Sequence, residues 1–521
     1  MRSVALDNDR ISGLIVPSLL ALAVAYTAYQ YLAAIGPYWN ISPDSATYVA
    51  VGRSLATGGG LEGAGVHPPM TSVLFALLLY LVPNGYGALN VLNTAMLLLS
   101  LFFAFLLLRR KGGVLHAMLA LLLTLGSVRL FHQSTQLLSE PAYMLFSFLA
   151  LLLLDKPDQA GGKGTQMLGG LAMVLAGLTR TVGVTLVLAV LVSEGVARLT
   201  RSRPVRPFVV ATAILALLGI AGWEAYIIGS GGTSNFQGVF LDDPWAPSPS
   251  LISVATLRES IGDNIRAAPA VGGMLLNAFW QAQDRFEFAW QAVASLVFFA
   301  GLGLALFRRI TVTALYASLY VPVVMFHSLW GGWPALTLLV PVAPLLFHYS
   351  IVAVRYVLTR ASGTFRLRLG PLVLIVSAIY TGWYMERGVG EIRRRVPEEH
   401  RSPFGDYPIK RPQSFDAQRL ALWIARHSLP DARFASWTPS LWEVVTERQG
   451  HDLWPVRSYP PEGFLAWLRE KEVQFILIDR RFRAAGRPLE TAVASYPSRF
   501  RLVLRLPDAS LYEHLLELNG S

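Results

Sequence analysis

The sequence predicts a polytopic α-helical membrane protein with a small soluble α/β domain at its C-terminal end. Three observations predict this fold class. The chain of 521 residues is 53% hydrophobic and 15% charged, with a mean hydropathy of +0.46, which exceeds what soluble globular proteins carry. Long apolar runs follow one another as far as residue 385. Beyond that point the chain is charged and alternates helix-like with strand-like patterns.

The apolar runs predict about eleven transmembrane helices. They lie near residues 11–36, 88–108, 114–127, 141–154, 166–178, 182–197, 207–228, 288–307, 311–328, 336–352 and 370–385. The first run is longer than a signal-peptide core and has no small-residue cleavage site before Tyr38, so we expect it to be retained as an anchor.

The basic residues predict the orientation. The net charge of +11 is spread over short clusters between apolar runs, which is a topological pattern rather than a nucleic-acid surface. The clusters at 109–113, 198–206, 308–309 and 355–368 all fall on one side if the N-terminus is cytoplasmic, whereas the connection around Lys156 is neutral. We therefore expect an inner (plasma) membrane protein whose loop 37–87 and C-terminal part lie on the outer face.

The change of sequence character in the C-terminal part divides the chain into three predicted segments. They are a membrane domain over 1–388, a linker over 389–412 and an outer-face (periplasmic) α/β domain over 413–521. The stretches FDAQRLALWIARH and PPEGFLAWLREK have helical periodicity, and ARFASW, VQFILIDR and FRLVLRL are typical of strands. About 110 residues suffice for a separate hydrophobic core. The chain contains no cysteine, so neither disulfides nor thiolate metal sites contribute.

The first outer loop contains two predicted juxtamembrane helices. In the first, Ser42 can cap the helix, Pro43 suits its first position and Asp44 follows in its first turn, with TGGG at the end. The second follows His67 and two prolines and is too short to span comfortably, so we expect it along the interface.

Two interpretations of Asp44 are open at this point. A first-turn aspartate commonly stabilises its helix through the macrodipole, by about 0.3 to 1 kcal/mol. Alternatively, an ionisable group at the membrane boundary marks a functional site.

Four stretches in a fixed order carry a family resemblance: PDSATYVAVGRSLATGGG, HPPMTSVLFALLLYLV, STQLLSEPAYMLFSFLALLLL and GLAMVLAGLTRTVGVTLVLAVLV. The chain resembles membrane glycosyltransferases of the GT-C fold, in the branch that contains dolichyl-phosphate-mannose protein mannosyltransferases and the lipid A aminoarabinose transferase. The resemblance covers about residues 10–200 by motif and the remainder by layout. It implies transfer of a sugar, with inversion, from a polyprenyl-phosphate carrier to an acceptor hydroxyl at the outer membrane face.

The resemblance implies that Asp44 is the catalytic base, since a carboxylate near the acceptor hydroxyl can remove its proton. Many relatives have Glu after this Asp, whereas Ser45 stands here, and relatives often have Lys where this chain has His67. The phosphate leaving group needs a cation, which His67 supplies in full only when protonated. His67 can equally be a structural residue that hydrogen-bonds a loop carbonyl.

Further candidates for binding the substrate are Glu140, Arg180, Arg129 and His132. Glu140 begins an apolar run in the sequence SEP and matches the family's second acidic position. Arg180 lies between two apolar runs and therefore needs a partner, either a lipid phosphate or a structural one such as Glu140. Arg129 and His132 lie in an outer connection and are weaker candidates for the same cationic role.

No cofactor is firmly predicted, and the expected donor substrate is a polyprenyl-phosphate sugar. A divalent metal is possible but not required, because two carboxylates and one histidine do not make a metal site. Expected partners are membrane lipid, the lipid-linked donor and a glycan, lipid or protein acceptor, with no nucleic acid. Trp330 and Trp333 can stack on a sugar or anchor the protein in the aromatic belt.

Two other functional classes stay open: a transporter or flippase of a lipid-linked substrate, and a catalytically inactive relative. Transport ranks second, because the predicted spans contain few charges and the sequence shows no inverted repeat.

Overall fold

The structure is a computed structural model. It describes residues 21–32, 43–61, 67–83, 85–134, 136–155, 162–201, 204–230, 269–275, 285–327, 338–360, 415–446, 448–453, 459–479, 491–507 and 509–515, together with a few isolated positions. The predicted apolar run 370–385, the linker 389–412 and both Trp330 and Trp333 lie outside these residues.

Helices make up most of the described chain. In order they are α1 (residues 21–32), α2 (Pro43–Ala56), α3 (Met70–Leu81), α4 (Tyr86–Gly112), α5 (Val114–Leu125), α6 (Val128–Ser134), α7 (Glu140–Leu154), α8 (Lys163–Thr179), α9 (Val184–Leu199), α10 (Pro207–Gly229), α11 (Ala270–Leu275), α12 (Arg285–Arg308), α13 (Val312–His327), α14 (Ala343–Arg360), α15 (Phe415–His427), α16 (Pro439–Thr446) and α17 (Pro461–Glu470).

Within the described residues, five helical segments are long and apolar enough to cross a membrane. They are Gly87–Gly112, Thr181–Leu199, Pro207–Gly229, Phe288–Arg308 and Val340–Arg360. Shorter apolar helices are Met70–Leu81, Val114–Leu125, Glu140–Leu154 and Val312–Val324. The chain is thus a multi-pass membrane protein, and the total of about eleven spans stays a prediction.

Close approach of the helices depends on small residues, as is usual within membranes. A Cβ atom at Gly301 of α12 would overlap the carbonyl oxygen of Tyr349 on α14. A large buried cluster of apolar side chains joins these helices with α4, α5, α7, α8 and α9.

The two ends of this helical bundle carry different polar groups. At one end lie α2, the first residue of α7 and the break between α8 and α9. At the other end Arg206 and Glu194 form a buried ion pair, with Arg206 Nε donating to Glu194 Oε1 at 2.8 Å. Lys111 Nζ lies 2.7 Å from Asp155 Oδ2 at that same end, since Asp155 directly follows α7.

The C-terminal part contains a five-stranded sheet in the order β2-β1-β3-β5-β4. The strands are β1 (Arg433–Ser436), β2 (Gln449–Asp452), β3 (Val473–Asp479), β4 (Phe500–Leu506) and β5 (Ala509–His514). β1 is parallel to β2 and β3, while β5 is antiparallel to β3 and β4. The polar strand β2 has no hydrophobic alternation, so sequence patterns did not predict it.

The sheet unit packs directly on the juxtamembrane helix α2. Helix α16 lies against α2, and one buried cluster combines Tyr48 and Val49 of α2 with Leu420 of α15 and Trp442 of α16. The C-terminal part and the bundle therefore both contribute side chains to the cluster around α2.

Candidate active site

Helix α2 presents Asp44 at the end of the bundle. The helix begins at Pro43, whose fixed φ suits a first helical position, and Asp44 follows in the first turn. The Asp44 side chain is 62% exposed, and its Oδ1 lies 3.9 Å from Nε2 of His67. That distance permits charge attraction but exceeds a hydrogen bond. The predicted catalytic base and the predicted cation are therefore close neighbours.

Tyr48 holds the other side of the His67 ring. Its hydroxyl lies 3.3 Å from His67 Nδ1, and the two ring centroids are 5.0 Å apart. Tyr48 is one helical turn after Asp44, so both side chains lie on the same face of α2.

Tyr48 stays protonated beside His67. Burial raises the pKa of Tyr48 well above its ordinary value; the charges of Asp44 and Glu140 add to this effect, and Arg180 opposes it. Tyr48 thus keeps its proton, and its hydroxyl shares a hydrogen bond with His67 Nδ1 whose donor depends on the tautomer of the ring. Nε2 is the ring nitrogen that faces Asp44.

A second group lies deeper, where α7 begins and α8 ends. Glu140 is the first residue of α7, with Pro141 in the first turn. Arg180 ends α8 in an extended conformation, with φ −147° and ψ 135°, before the short 3₁₀ turn Thr181–Gly183. This break in the helix allows the Arg180 side chain to reach across to α7.

The resulting ion pair is close and mostly buried. Arg180 Nη1 lies 2.6 Å from Glu140 Oε1 and donates to Ser139 Oγ at 2.9 Å. The side chains of Arg180 and Glu140 are 17% and 7% exposed. Within the described residues, the contacts of the pair therefore use Arg180 Nη1 and Glu140 Oε1, whereas Glu140 Oε2 accepts no hydrogen bond.

Tyr48 connects the exposed and the buried groups. It experiences the charges of Asp44 on one side and of Arg180 and Glu140 on the other. Tyr320 of α13 also lies within electrostatic reach of Arg180 and Glu140, and its hydroxyl donates to the Leu338 carbonyl at 2.8 Å. Two carboxylates, one imidazole and one guanidinium are thus gathered at a single end of the bundle.

Two predicted residues fall outside this arrangement as described. Arg129 lies half-buried on the short helix α6, and burial lowers its pKa, although arginine keeps its charge. His132 is on the same helix, but its side chain lies outside the described part of the structure. The cationic role suggested for both stays a prediction.

Sequence reasoning missed Tyr48, Ser139 and Tyr320. A spacing of four residues from Asp44 on a predicted helix could have found Tyr48, and Ser139 is adjacent to Glu140 in sequence. Tyr320 gave no signal, because its proximity to Arg180 comes only from the packing of α13. Among the described residues there is no group of three or more His, Asp and Glu side chains that could hold a metal ion.

These features define a class: a multi-pass membrane protein with an acid, an imidazole and a buried guanidinium at one end of its helical bundle. The fold has solved counterparts. The chain is similar to the crystal structure of ArnT from Cupriavidus metallidurans bound to undecaprenyl phosphate, with a TM-score of 0.60 and 15% identity over 97% of this chain and 99% of that chain. The apo state of the same ArnT gives a TM-score of 0.59 and 16% identity over the same shares.

A second kind of relative is archaeal. The oligosaccharyltransferase AglB from Archaeoglobus fulgidus, in complex with an inhibitory peptide and a dolichol-phosphate, matches with a TM-score of 0.53 and 13% identity over 96% of this chain and 75% of that chain. No family model and no curated protein matches the chain. ArnT and AglB are both GT-C enzymes, so the predicted GT-C fold is confirmed.

Proposed function

We propose that the chain is an inverting glycosyltransferase that moves a hexosyl or pentosyl unit from a polyprenyl-phosphate carrier to an acceptor hydroxyl. In this proposal the N-terminus is cytoplasmic, the Asp44 end of the bundle lies at the outer membrane face, and residues 413–521 form an outer domain. One observation within the GT-C fold carries the proposal. Tyr48 interacts electrostatically both with the exposed carboxylate of Asp44 and with the buried ion pair of Arg180 and Glu140.

Asp44 serves as the general base. Its carboxylate is exposed and belongs to a short helix at the edge of the apolar core, so an acceptor hydroxyl can reach it from water. The acceptor proton moves to Asp44 while the acceptor oxygen bonds to the anomeric carbon. The bond from that carbon to the carrier oxygen breaks, and its electron pair goes to the phosphate.

Arg180 and His67 stabilise the charge that develops on the phosphate. Within the described residues the hydrogen bond and the ion pair of Arg180 both use Nη1, so the proposal assigns Nε and Nη2 to the phosphate oxygens. His67 faces the same space with its Nε2 atom and stabilises the phosphate as a hydrogen-bond donor when that nitrogen carries a proton. Glu140 fixes the orientation of Arg180, which is the structural half of its role.

The proposal is tested by transfer from radiolabelled polyprenyl-phosphate sugars to membrane-extract acceptors with the purified protein. Asp44→Asn keeps the size of the side chain and removes its basicity, so we expect the transfer rate to fall by about a hundredfold or more. Glu470→Gln is the matched control, since Glu470 is an exposed carboxylate of the C-terminal part and pairs with Lys471.

Undiminished transfer by a folded Asp44→Asn protein would reject Asp44 as the base. If the wild type instead carries intact lipid-linked sugar across proteoliposome membranes without transferring it, the protein is a transporter and the proposal is wrong.

A further inference from the structure

The membrane end opposite to Asp44 carries an arrangement of arginines that sugar transfer does not use. α4 starts next to the α3 interface helix and ends at Gly112, about 39 Å further along its axis. Arg355 Nη1 lies 3.5 Å from the Gly112 carbonyl oxygen, which places the C-terminal end of α14 at this far end. α12 packs along α14 and ends at Arg308.

Two guanidinium groups share one aromatic ring here. The Cζ atom of Arg308 lies 5.4 Å from the centroid of the Tyr356 ring, and that of Arg360 lies 4.3 Å from the same centroid. Both distances are within the range of cation–π contacts. The two cations are therefore no more than roughly 10 Å apart, close to the distance over which salt screens exposed charges.

Among the described residues, no carboxylate balances the charges of this pair. Within the described residues, no carboxylate forms an ion pair with Arg308 or Arg360, and both side chains are exposed. Arginines that only determine the orientation of a membrane protein need no defined contact. Arg308 and Arg360, in contrast, belong to different helices and contact the same tyrosine ring. Like charges held together without a counter-charge favour a bound anion.

The immediate surroundings are apolar and exposed. Phe307, next to Arg308, is 95% exposed, and Val357, next to Tyr356, is 66% exposed. Such side chains face acyl chains when the helices are embedded, while arginine head groups reach the lipid head-group level. An anion that carries acyl chains fits this combination, and a soluble anion would leave the apolar side chains without contacts.

We propose that Arg308, Tyr356 and Arg360 form a binding site for the head group of an anionic diacyl phospholipid. The phosphodiester lies between the two guanidinium groups, and the acyl chains run along Phe307 and Val357. The site is independent of the proposed sugar transfer, because it lies at the other end of the bundle.

The test measures binding of dioleoyl phosphatidylglycerol to the purified full chain by native mass spectrometry, with dioleoyl phosphatidylcholine as the neutral reference. We expect the wild type to prefer the anionic lipid. Arg308→Gln/Arg360→Gln should lower the affinity for phosphatidylglycerol by about tenfold or more. Tyr356→Leu, which removes the shared ring and keeps the charges, should lower it by a smaller factor.

The matched control is Arg198→Gln/Arg201→Gln, which removes two exposed arginines at the end of α9 on the same membrane face. Equal losses in both double variants would mean general surface charge and would overturn the site. Displacement of the lipid by millimolar inorganic phosphate would identify a free-anion site instead. Preferential loss of polyprenyl monophosphate binding would assign these arginines to the carrier, which also contradicts the proposal.

Discussion

Separating the two roles of Arg180 gives the sharpest test of the site. Its Nη1 lies 2.6 Å from Glu140 Oε1, and both side chains are mostly buried. At an effective dielectric constant of about 20, this distance corresponds to about 6 kcal/mol of attraction before the cost of desolvation is subtracted. Removing one partner leaves the other charge buried and unpaired, at a cost of about 3 to 5 kcal/mol.

The expected double-mutant cycle follows from these magnitudes. Glu140→Leu and Arg180→Leu should each lower the free energy of unfolding by about 3 kcal/mol or more. The double variant Glu140→Leu/Arg180→Leu should recover most of that loss, because it leaves no unpaired charge. Unfolding by increasing SDS fraction in mixed micelles measures all four proteins.

The stable double variant then tests the phosphate role directly. It should bind polyprenyl phosphate at least tenfold more weakly than the wild type, since charge-assisted hydrogen bonds to phosphate are lost. Glu194→Leu/Arg206→Leu is the control: this buried pair lies at the opposite end of the bundle, so the same cycle should leave carrier binding unchanged.

Two results would refute the reasoning. If the double variant is as unstable as the sum of the two single changes, Glu140 and Arg180 are not coupled. If it is stable and binds polyprenyl phosphate as the wild type does, the ion pair is structural only and the phosphate site lies elsewhere.

Three further predictions concern other groups. Tyr48→Phe removes the hydrogen bond to His67 and should slow sugar transfer by about two- to tenfold with little change in the unfolding midpoint; an unchanged rate would contradict this role. Glu224→Leu should stabilise the protein by about 1 to 3 kcal/mol in the SDS assay, because both carboxylate oxygens of Glu224 are buried and accept no hydrogen bond from the described residues; destabilisation would contradict this. Burial, with the charges of Arg469 and Arg499, lowers the pKa of His514 below 6.5, so the folded sheet binds fewer protons than the unfolded chain and loses stability as the pH falls below that value. Hydrogen exchange in β5 at pH 7.5 and 5.5 measures this, and His514→Phe should reduce the difference.

The local features of the site could be predicted because they depend on neighbours in sequence. A helix start is predicted by the order Ser42, Pro43, Asp44, and α2 begins at Pro43 as this pattern predicts. Apolar runs of membrane length likewise predict spans, since lipid demands continuous hydrophobicity. The position of Arg180 between two such runs indicates that this charged group needs a partner, and Glu140, one of the expected partners, forms an ion pair with it.

The orientation, the sugar and the roles of Asp44, His67, Arg129 and His132 in binding stay predictions. The roles of these side chains depend on substrate, and no pattern of residues along the chain describes a bound ligand. The expected GT-C relation, in contrast, rests on the path of the whole chain, which agrees with that of ArnT over nearly its full length.

By itself, the sequence determined that this chain belongs in a membrane, where its helices begin, and that its acidic and basic candidates cluster near the ends of apolar runs. Hydrophobicity and helix starts are properties of adjacent residues. Only the tertiary structure decided that Tyr48 holds His67 beside Asp44, that Arg180 pairs with Glu140 through one edge of its guanidinium, and that two arginines meet on Tyr356. Except for Arg360 and Tyr356, which are neighbours on one helix, these contacts join residues from different helices or loops, and only packing brings them within reach.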